Sequence, residues 1–164
     1  LMLNLIERIE QPSQIDDYVA LPFDLRKKSR LRVTLQSGHE ASLMLERGSI
    51  LRGGDCLRAA SGEVVQVQAA HEPVMDVTAN TPQQLTRAAY HLGNRHVPLQ
   101  VGDGWLRLEQ DHVLKEMLLG LDVSVNELDA PFEPEAGAYG GGHRHHHDDE
   151  TQHLRPPTRL MRHG

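Results

Sequence analysis

The chain has 164 residues, of which 17 are Lys or Arg, 23 are Asp or Glu, 11 are His and one is Cys. A single Cys excludes a disulfide framework, and no apolar run approaches the roughly 20 residues that a membrane span needs. The net charge of −6 and the 4% aromatic content argue against nucleic-acid binding, which uses basic surfaces and stacking rings. The first residues lack the basic segment of a signal peptide, so we expect a cytoplasmic protein without membrane contact.

The first 70 residues carry the signals of short strands. Residues 32–35 and 42–45 alternate in polarity on either side of a turn, which predicts a hairpin. Residues 55–58 and 63–68 predict a second hairpin, because Gly62 between them can adopt a positive φ. Residues 1–70 are therefore predicted to form a small all-β domain.

From residue 71 the predicted order becomes strand, helix, strand, strand, helix, strand. Thr81 and Pro82 form a typical helix start, and the helix that follows is expected to stop at Gly93 or Asn94, which tolerate the left-handed conformation. Asp111 is the predicted N-cap of the second helix. The expected strands are residues 74–78, 97–101, 106–109 and 123–128, and the expected helices are residues 85–92 and 112–119. This order is the ferredoxin-like βαββαβ plan, predicted for residues 71–132, and gives an α+β fold for the whole chain.

Residues 133–164 lose the core-forming pattern and predict a disordered, His-rich C-terminal tail. Its imidazoles, flanked by three carboxylates, favour borderline metals such as nickel, copper and zinc over magnesium or calcium. An expression tag is the alternative interpretation, but a tag is usually an unbroken run at a terminus. The candidate ligands in the tail are His143, His145, His146, His147 and His153.

Three further histidines lie near predicted helix ends. His91 falls in the last turn of the first helix, where an imidazole complements the helix dipole, so a structural role is the stronger interpretation. His96 falls on a connector between rigid elements, where binding residues concentrate, and Pro98 beside it predicts an edge strand that a dimer could pair. His112 follows the N-cap Asp111, where the dipole favours the neutral, metal-binding ring, although a plain surface His is the alternative.

Other constellations point to no enzyme. No phosphate-binding loop and no nucleophile elbow is present, and Cys56 is expected to be an ordinary buried thiol. The basic run that begins at Arg26 predicts a solvated loop or a partner-docking segment. A metal-dependent hydrolase would need a fixed open site and a general base, which these residues do not supply.

Residues 90–100, Tyr-His-Leu-Gly-Asn-Arg-His-Val-Pro-Leu-Gln, with residues 111–114 and the His-rich tail, resemble the urease accessory nickel chaperones of the UreE family. Residues 6–9 and 51–55 are also similar to that family. The resemblance implies a β-rich N-terminal domain that binds peptide, a ferredoxin-like metal-binding domain and a homodimer. It also implies that His96 and its symmetry mate hold a nickel ion and that His112 is a further metal position. Where some members have another His, this chain has Gln110, which leaves an auxiliary copper or zinc site without one ligand.

The function implied is a non-enzymatic metallochaperone. It would deliver Ni²⁺ to apo-urease through the urease accessory complex, which includes a GTPase, with Zn²⁺ or Cu²⁺ as competitors. The alternative is a general divalent-metal buffer or storage protein in which the tail alone binds the metal and the folded part is a carrier.

Overall fold

A computed structural model describes residues 2–137, which form two β-sheets and three helices. The six strands of the first sheet precede residue 70, and the four strands of the second follow it. The strands of the first sheet are β1 (Leu3–Ile9), β2 (Asp17–Leu21), β3 (Arg30–Thr34), β4 (Glu40–Met44), β5 (Cys56–Ala59) and β6 (Val64–Ala69). A four-residue helix, α1 (Phe23–Arg26), interrupts them, so the N-terminal part is rich in β-structure without being all-β.

Both predicted hairpins are confirmed, because β3 pairs with β4 and β5 with β6 in antiparallel ladders. The full order is β2-β6-β5-β1-β4-β3. Three long-range pairs complete it, since β1 lies parallel beside β4 and antiparallel beside β5, and β2 lies parallel beside β6. The buried face is aliphatic, as the low aromatic content requires, and includes Leu5, Leu43, Leu57 and Val67.

The second sheet contains β7 (His71–Thr78), β8 (Gln100–Val101), β9 (Leu106–Glu109) and β10 (Ser124–Pro131). Helix α2 (Pro82–Asn94) follows β7, and helix α3 (His112–Leu119) follows β9, which is the predicted element order. The strand order is β10-β7-β9-β8, and every neighbouring pair is antiparallel. The two helices bury Ala88, Leu92 and Leu118 in the same core as the strand residues Met75 and Leu108.

One strand is much shorter than the sequence predicts. The expected strand over residues 97–101 is reduced to Gln100–Val101, so Pro98 lies outside it. Proline has no N–H for the ladder and also restricts the residue before it. The Val97 N–H instead donates to the Leu92 carbonyl, 3.4 Å away. The prediction of an edge strand is nevertheless confirmed, because β8 ends the sheet.

A third apolar cluster joins the two sheets. Phe23 from α1 meets Phe132 edge to face, with ring centroids 5.6 Å apart, and the two rings share a buried cluster with Val74 and Ala130. Arg26 beside them is fully buried, so the interpretation of its basic run as a solvated loop is wrong at this residue. Burial of a guanidinium is determined by tertiary partners, which a run of basic residues does not reveal.

Residues 133–135, which the sequence assigns to the tail, contact the folded part. Pro134 is buried, and the Glu133 and Glu135 N–H groups donate to the side chain of Gln100 and the carbonyl of Leu99. The predicted disorder from residue 138 onward, and all the tail histidines, lie outside the described residues.

Candidate metal site

The end of α2 positions His96. The helix begins as predicted, with the Thr81 hydroxyl accepting from the Gln84 N–H at 3.2 Å and proline at its first position. It ends later than predicted, because Gly93 and Asn94 are both helical. His96 itself adopts the left-handed conformation, with φ of 56°. Its N–H donates to the Gly93 carbonyl at 3.0 Å, which fixes the turn.

A left-handed backbone is unusual at a histidine. It costs an L-residue about 1–2 kcal/mol relative to the right-handed region, and such strain concentrates at functional sites. His96 is also exposed, on a connector anchored at both ends by α2 and β8. The imidazole is therefore held on a rigid support and is accessible from outside this chain.

His112 is positioned by the cap of α3. The Asp111 carboxylate accepts from the Leu114 N–H at 2.9 Å, and the helix starts at His112, as predicted. The imidazole is exposed at the N-terminal end of the helix. Gln110 is engaged elsewhere, since its amide nitrogen donates to the Val74 carbonyl at 3.1 Å.

The sheet places the His96 connector and the start of α3 at the same end. Gln100 pairs with Arg107, so the residues that precede Gln100 lie toward the Glu109 end of β9. Helix α3 begins three residues beyond Glu109. His96 and His112 are thus at a common end of the second sheet, whereas His91 is half-buried in α2 with its ring edge to face with Tyr90.

Carboxylates gather at this end as well. The pKa of Glu109 is raised by burial and by the negative charges of Asp24 and Glu72, while Lys27 opposes the shift. Glu72 accepts from the Phe23 N–H at 2.9 Å, which links the cluster to the junction of the two sheets. This hydrogen bond of Glu72 is one that holds the fold together. Within residues 2–137 of one chain, no three His, Cys, Asp or Glu side chains are grouped so as to hold a metal.

This finding limits what one chain can do with its described residues. A closed structural metal site needs about four protein ligands, and an exposed single imidazole is at most part of one. The remaining candidates, His143, His145, His146, His147 and His153, lie outside the described residues. A metal bound at His96 therefore needs ligands from a second chain, from the tail or from water.

The contacts of Arg26 were not predicted from the sequence, although they lie close to the end of the second sheet that carries His96 and His112. The Arg26 guanidinium pairs with Glu133, whose N–H donates to the side chain of Gln100 in β8. No local signal marks either residue, because their 107-residue separation is closed only in the folded chain.

Two family models match the chain. The UreE urease accessory protein N-terminal domain matches residues 3–70, and the C-terminal domain of the same protein matches residues 72–156. The chain belongs to the UreE urease accessory protein family. This confirms the resemblance found in the residues around His96, and the C-terminal match extends past the five candidate tail histidines to residue 156.

Curated members of the UreE family are similar over most of the chain. The urease accessory protein UreE of Cupriavidus necator is 58% identical over 130 residues, which are 79% of this chain and 68% of that protein. The Cupriavidus pinatubonensis protein of the same name is 59% identical over 79% of this chain and 59% of its own length. That of Alkalilimnicola ehrlichii is 54% identical over 140 residues, 85% of this chain and 86% of the relative.

The names of the UreE family and of these relatives describe an accessory protein, which confirms the prediction that the chain is not an enzyme. Among the described residues, none of the helices has the length and apolar character needed to cross a membrane.

Proposed function

We propose that this chain is a nickel metallochaperone that binds Ni²⁺ between two copies of His96 in a homodimer. The observation that carries the proposal is the exposed, left-handed His96 on a connector fixed at both ends. A pair of such imidazoles across a two-fold axis leaves most of the coordination shell to weaker or exchangeable ligands. The ion can then leave by exchanging one ligand at a time, which suits delivery rather than storage.

The tail histidines would capture nickel and complete the shell at His96. Support comes from the root of the tail, where the Glu135 N–H donates to the Leu99 carbonyl at 2.7 Å. Leu99 is three residues from His96, so the tail leaves the fold close to the proposed ion. His112, at the same end of the sheet, is a further position for metal during transfer, and Zn²⁺ or Cu²⁺ would compete because nickel is not the tightest-binding divalent ion.

The recipient would be apo-urease in the cytoplasm, reached through the urease accessory complex with its GTPase. The family name gives the urease accessory role. A delivery step requires that the ion be held loosely. The described part of the chain offers no three-ligand group that would retain the ion.

We further propose that residues 1–70 and 71–132 are separate domains, the first for peptide or partner binding and the second ferredoxin-like, metal-binding and dimerising. The antiparallel order β10-β7-β9-β8 with α2 and α3 as crossovers supports the second assignment.

The alternative function is a general divalent-metal buffer in which the tail alone binds the ion. The five candidate histidines of the tail favour it, because they would bind nickel, copper or zinc without any contribution from His96. The two functions differ in one measurable respect, the fate of tight binding when the tail ligands are removed.

Calorimetric titration with Ni²⁺ and light scattering would separate them. The proteins are the full chain, the full chain with all six tail histidines (the five candidates and His163) changed to Ala, and both again with His96→Ala. The chaperone proposal expects a dimer that keeps one tight ion in the tail variant and loses it when His96→Ala is added. Retention of that ion without His96 would contradict the site, and loss of all binding with the tail histidines would support the buffer.

A further inference from the structure

Arg26 is a buried cation that gathers groups from distant parts of the chain. Its guanidinium donates to the carbonyls of Leu21 and Leu51, each 3.1 Å away, and to the carbonyl of Phe132. The Glu133 carboxylate supplies the compensating charge and also accepts from the Gly53 N–H at 3.3 Å. Because an unpaired buried guanidinium is costly, these partners fix residues 132–133 against the first sheet.

The same short segment is also fixed by Leu99, at the end of the His96 connector, and by Gln100, at the start of β8. The Glu133 N–H donates to Gln100 Oε1 at 2.8 Å, and the Glu135 N–H donates to the Leu99 carbonyl at 2.7 Å. Residues 133–135 therefore lie between the buried Arg26 and the connector. We call residues 132–135 the tail root.

The position of the tail root determines how near the tail histidines can come to His96. His143 follows Glu135 by eight residues, a maximum span of about 26–29 Å at roughly 3.3–3.6 Å per residue. Leu99 is three residues from His96, a distance of at most about 11 Å on the same scale. A fixed root thus keeps the first tail ligands within reach and raises their effective concentration at His96.

We infer that Glu133, held by Arg26, is a positioning residue that fixes the tail root beside the His96 connector and so increases the contribution of the tail histidines to nickel binding. The inference rests on the proposed function, since it assumes that nickel binds at His96. Glu133 itself does not contact the ion. Glu133 acts by keeping the start of the tail at a fixed point of the fold. Without it, the tail would start from a displaced segment.

The test is a nickel titration in a two-by-two design. Glu133→Ala is introduced into the full chain and into the full chain whose six tail histidines, His163 included, are Ala, and Ni²⁺ alone is the titrant. We expect Kd for the tight ion to rise about three- to tenfold in the full chain, because the effective concentration of the tail ligands falls. In the variant without tail histidines we expect no change in Kd.

Two controls separate positioning from loss of charge or of fold. Glu135→Ala removes an exposed carboxylate from the same segment while keeping the backbone bond to Leu99, and it should leave Kd unchanged. Glu133→Gln keeps an acceptor for Arg26 and for the Gly53 N–H, and it should restore most of the affinity. Circular dichroism checks that each variant is folded. Should Glu133→Ala unfold the chain, Gln100→Ala provides the second test, because it removes the acceptor of the Glu133 N–H alone.

An unchanged Kd in the folded full-chain variants would overturn the inference. An equal rise in Kd with and without tail histidines would also overturn it, because Glu133 would then act only through the fold. Failure of the proposed function has a different signature, namely tight nickel binding that survives His96→Ala.

Discussion

At the scale of single residues, His96 combines two properties that one substitution can separate. The imidazole is the proposed ligand, and the backbone is left-handed with φ of 56°. Glycine adopts that conformation without a steric penalty, whereas alanine does not. A variant that changes the ligand therefore need not keep the same backbone strain.

We predict that His96→Gly is more stable than His96→Ala by about 1 kcal/mol, because only alanine keeps a Cβ in the strained region. Both variants should lose the proposed interfacial nickel to the same extent, since both lack the imidazole. Urea unfolding gives the stability difference, and calorimetry with the tail histidines changed to Ala gives the metal binding. Equal stability of the two variants would show that the left-handed turn is not retained in solution.

At this scale, the role of a residue could be predicted from the sequence where it depends only on neighbouring atoms. Asp111 was predicted as the cap of α3, and its contact to Leu114 confirms this because a cap uses only neighbouring atoms. Gly93 and Asn94 were expected to take the left-handed position, but His96 takes it. Conformational tolerance shows which residues can end a helix, while tertiary contacts decide where it ends.

At the scale of elements, Asp17 ties the start of β2 to the turn between β3 and β4. Its carboxylate accepts from the Tyr18 N–H at 2.8 Å, from the Ser37 N–H at 3.2 Å and from the Ser37 hydroxyl. Burial acts to raise the pKa of Asp17, but these hydrogen bonds and the nearby His39 outweigh it, so the pKa lies below the ordinary value of 3.8. The ionised form is thus the one that stabilises the fold.

We predict that Asp17→Asn destabilises the chain at pH 7 and that its deficit shrinks as the pH falls below about 4. A lowered folded-state pKa contributes stability that is complete above the unfolded pKa and is lost as the pH falls through the folded pKa. Urea unfolding of parent and variant between pH 7 and pH 3 measures the difference. Glu40, which pairs with Arg32 on the exposed face, provides a matched surface control in Glu40→Gln. A deficit that stays constant with pH would rule out the carboxylate as its source.

The elements that sequence reasoning predicted best are those that local contacts specify. Two hairpins and helix α3 agree closely with expectation, since turn residues and caps are encoded within a few positions. The parallel pairs of β1 with β4 and of β2 with β6 were not predicted, because they join residues as far apart as Leu3 and Ala41 and as Asp17 and Val65. Strand β8 was predicted too long because the effect of Pro98 on the ladder was underestimated.

At the scale of the whole molecule, the two sheets are joined by an apolar junction with a buried arginine beside it. Phe23, Val74, Ala130 and Phe132 supply the apolar contacts, and Arg26 and Glu72 supply polar ones. Burial lowers the pKa of Arg26 below its ordinary value, and the Glu133 carboxylate opposes that shift. Neither the run of basic residues nor the family resemblance indicated this role, because both describe the chain locally.

We predict that Arg26→Ala lowers the free energy of unfolding by about 2–4 kcal/mol. The substitution removes the side-chain donor of the Leu51 and Phe132 carbonyls and the charge partner of Glu133, and breaking a buried ion pair costs more than breaking an exposed one. The lower end of the range reflects the partial exposure of Glu133, whose side chain is 31% accessible. Urea unfolding followed by circular dichroism measures the loss.

The neighbouring Lys27 provides the matched control, because its ammonium is exposed and pairs with Asp24 on the surface. Lys27→Ala should change the free energy of unfolding by less than about 1 kcal/mol, as is usual for an exposed pair. Equal effects of the two substitutions would mean that the junction is open in solution. The contacts of Arg26 with Phe132 and Glu133 would then not link the first sheet to the tail root in solution.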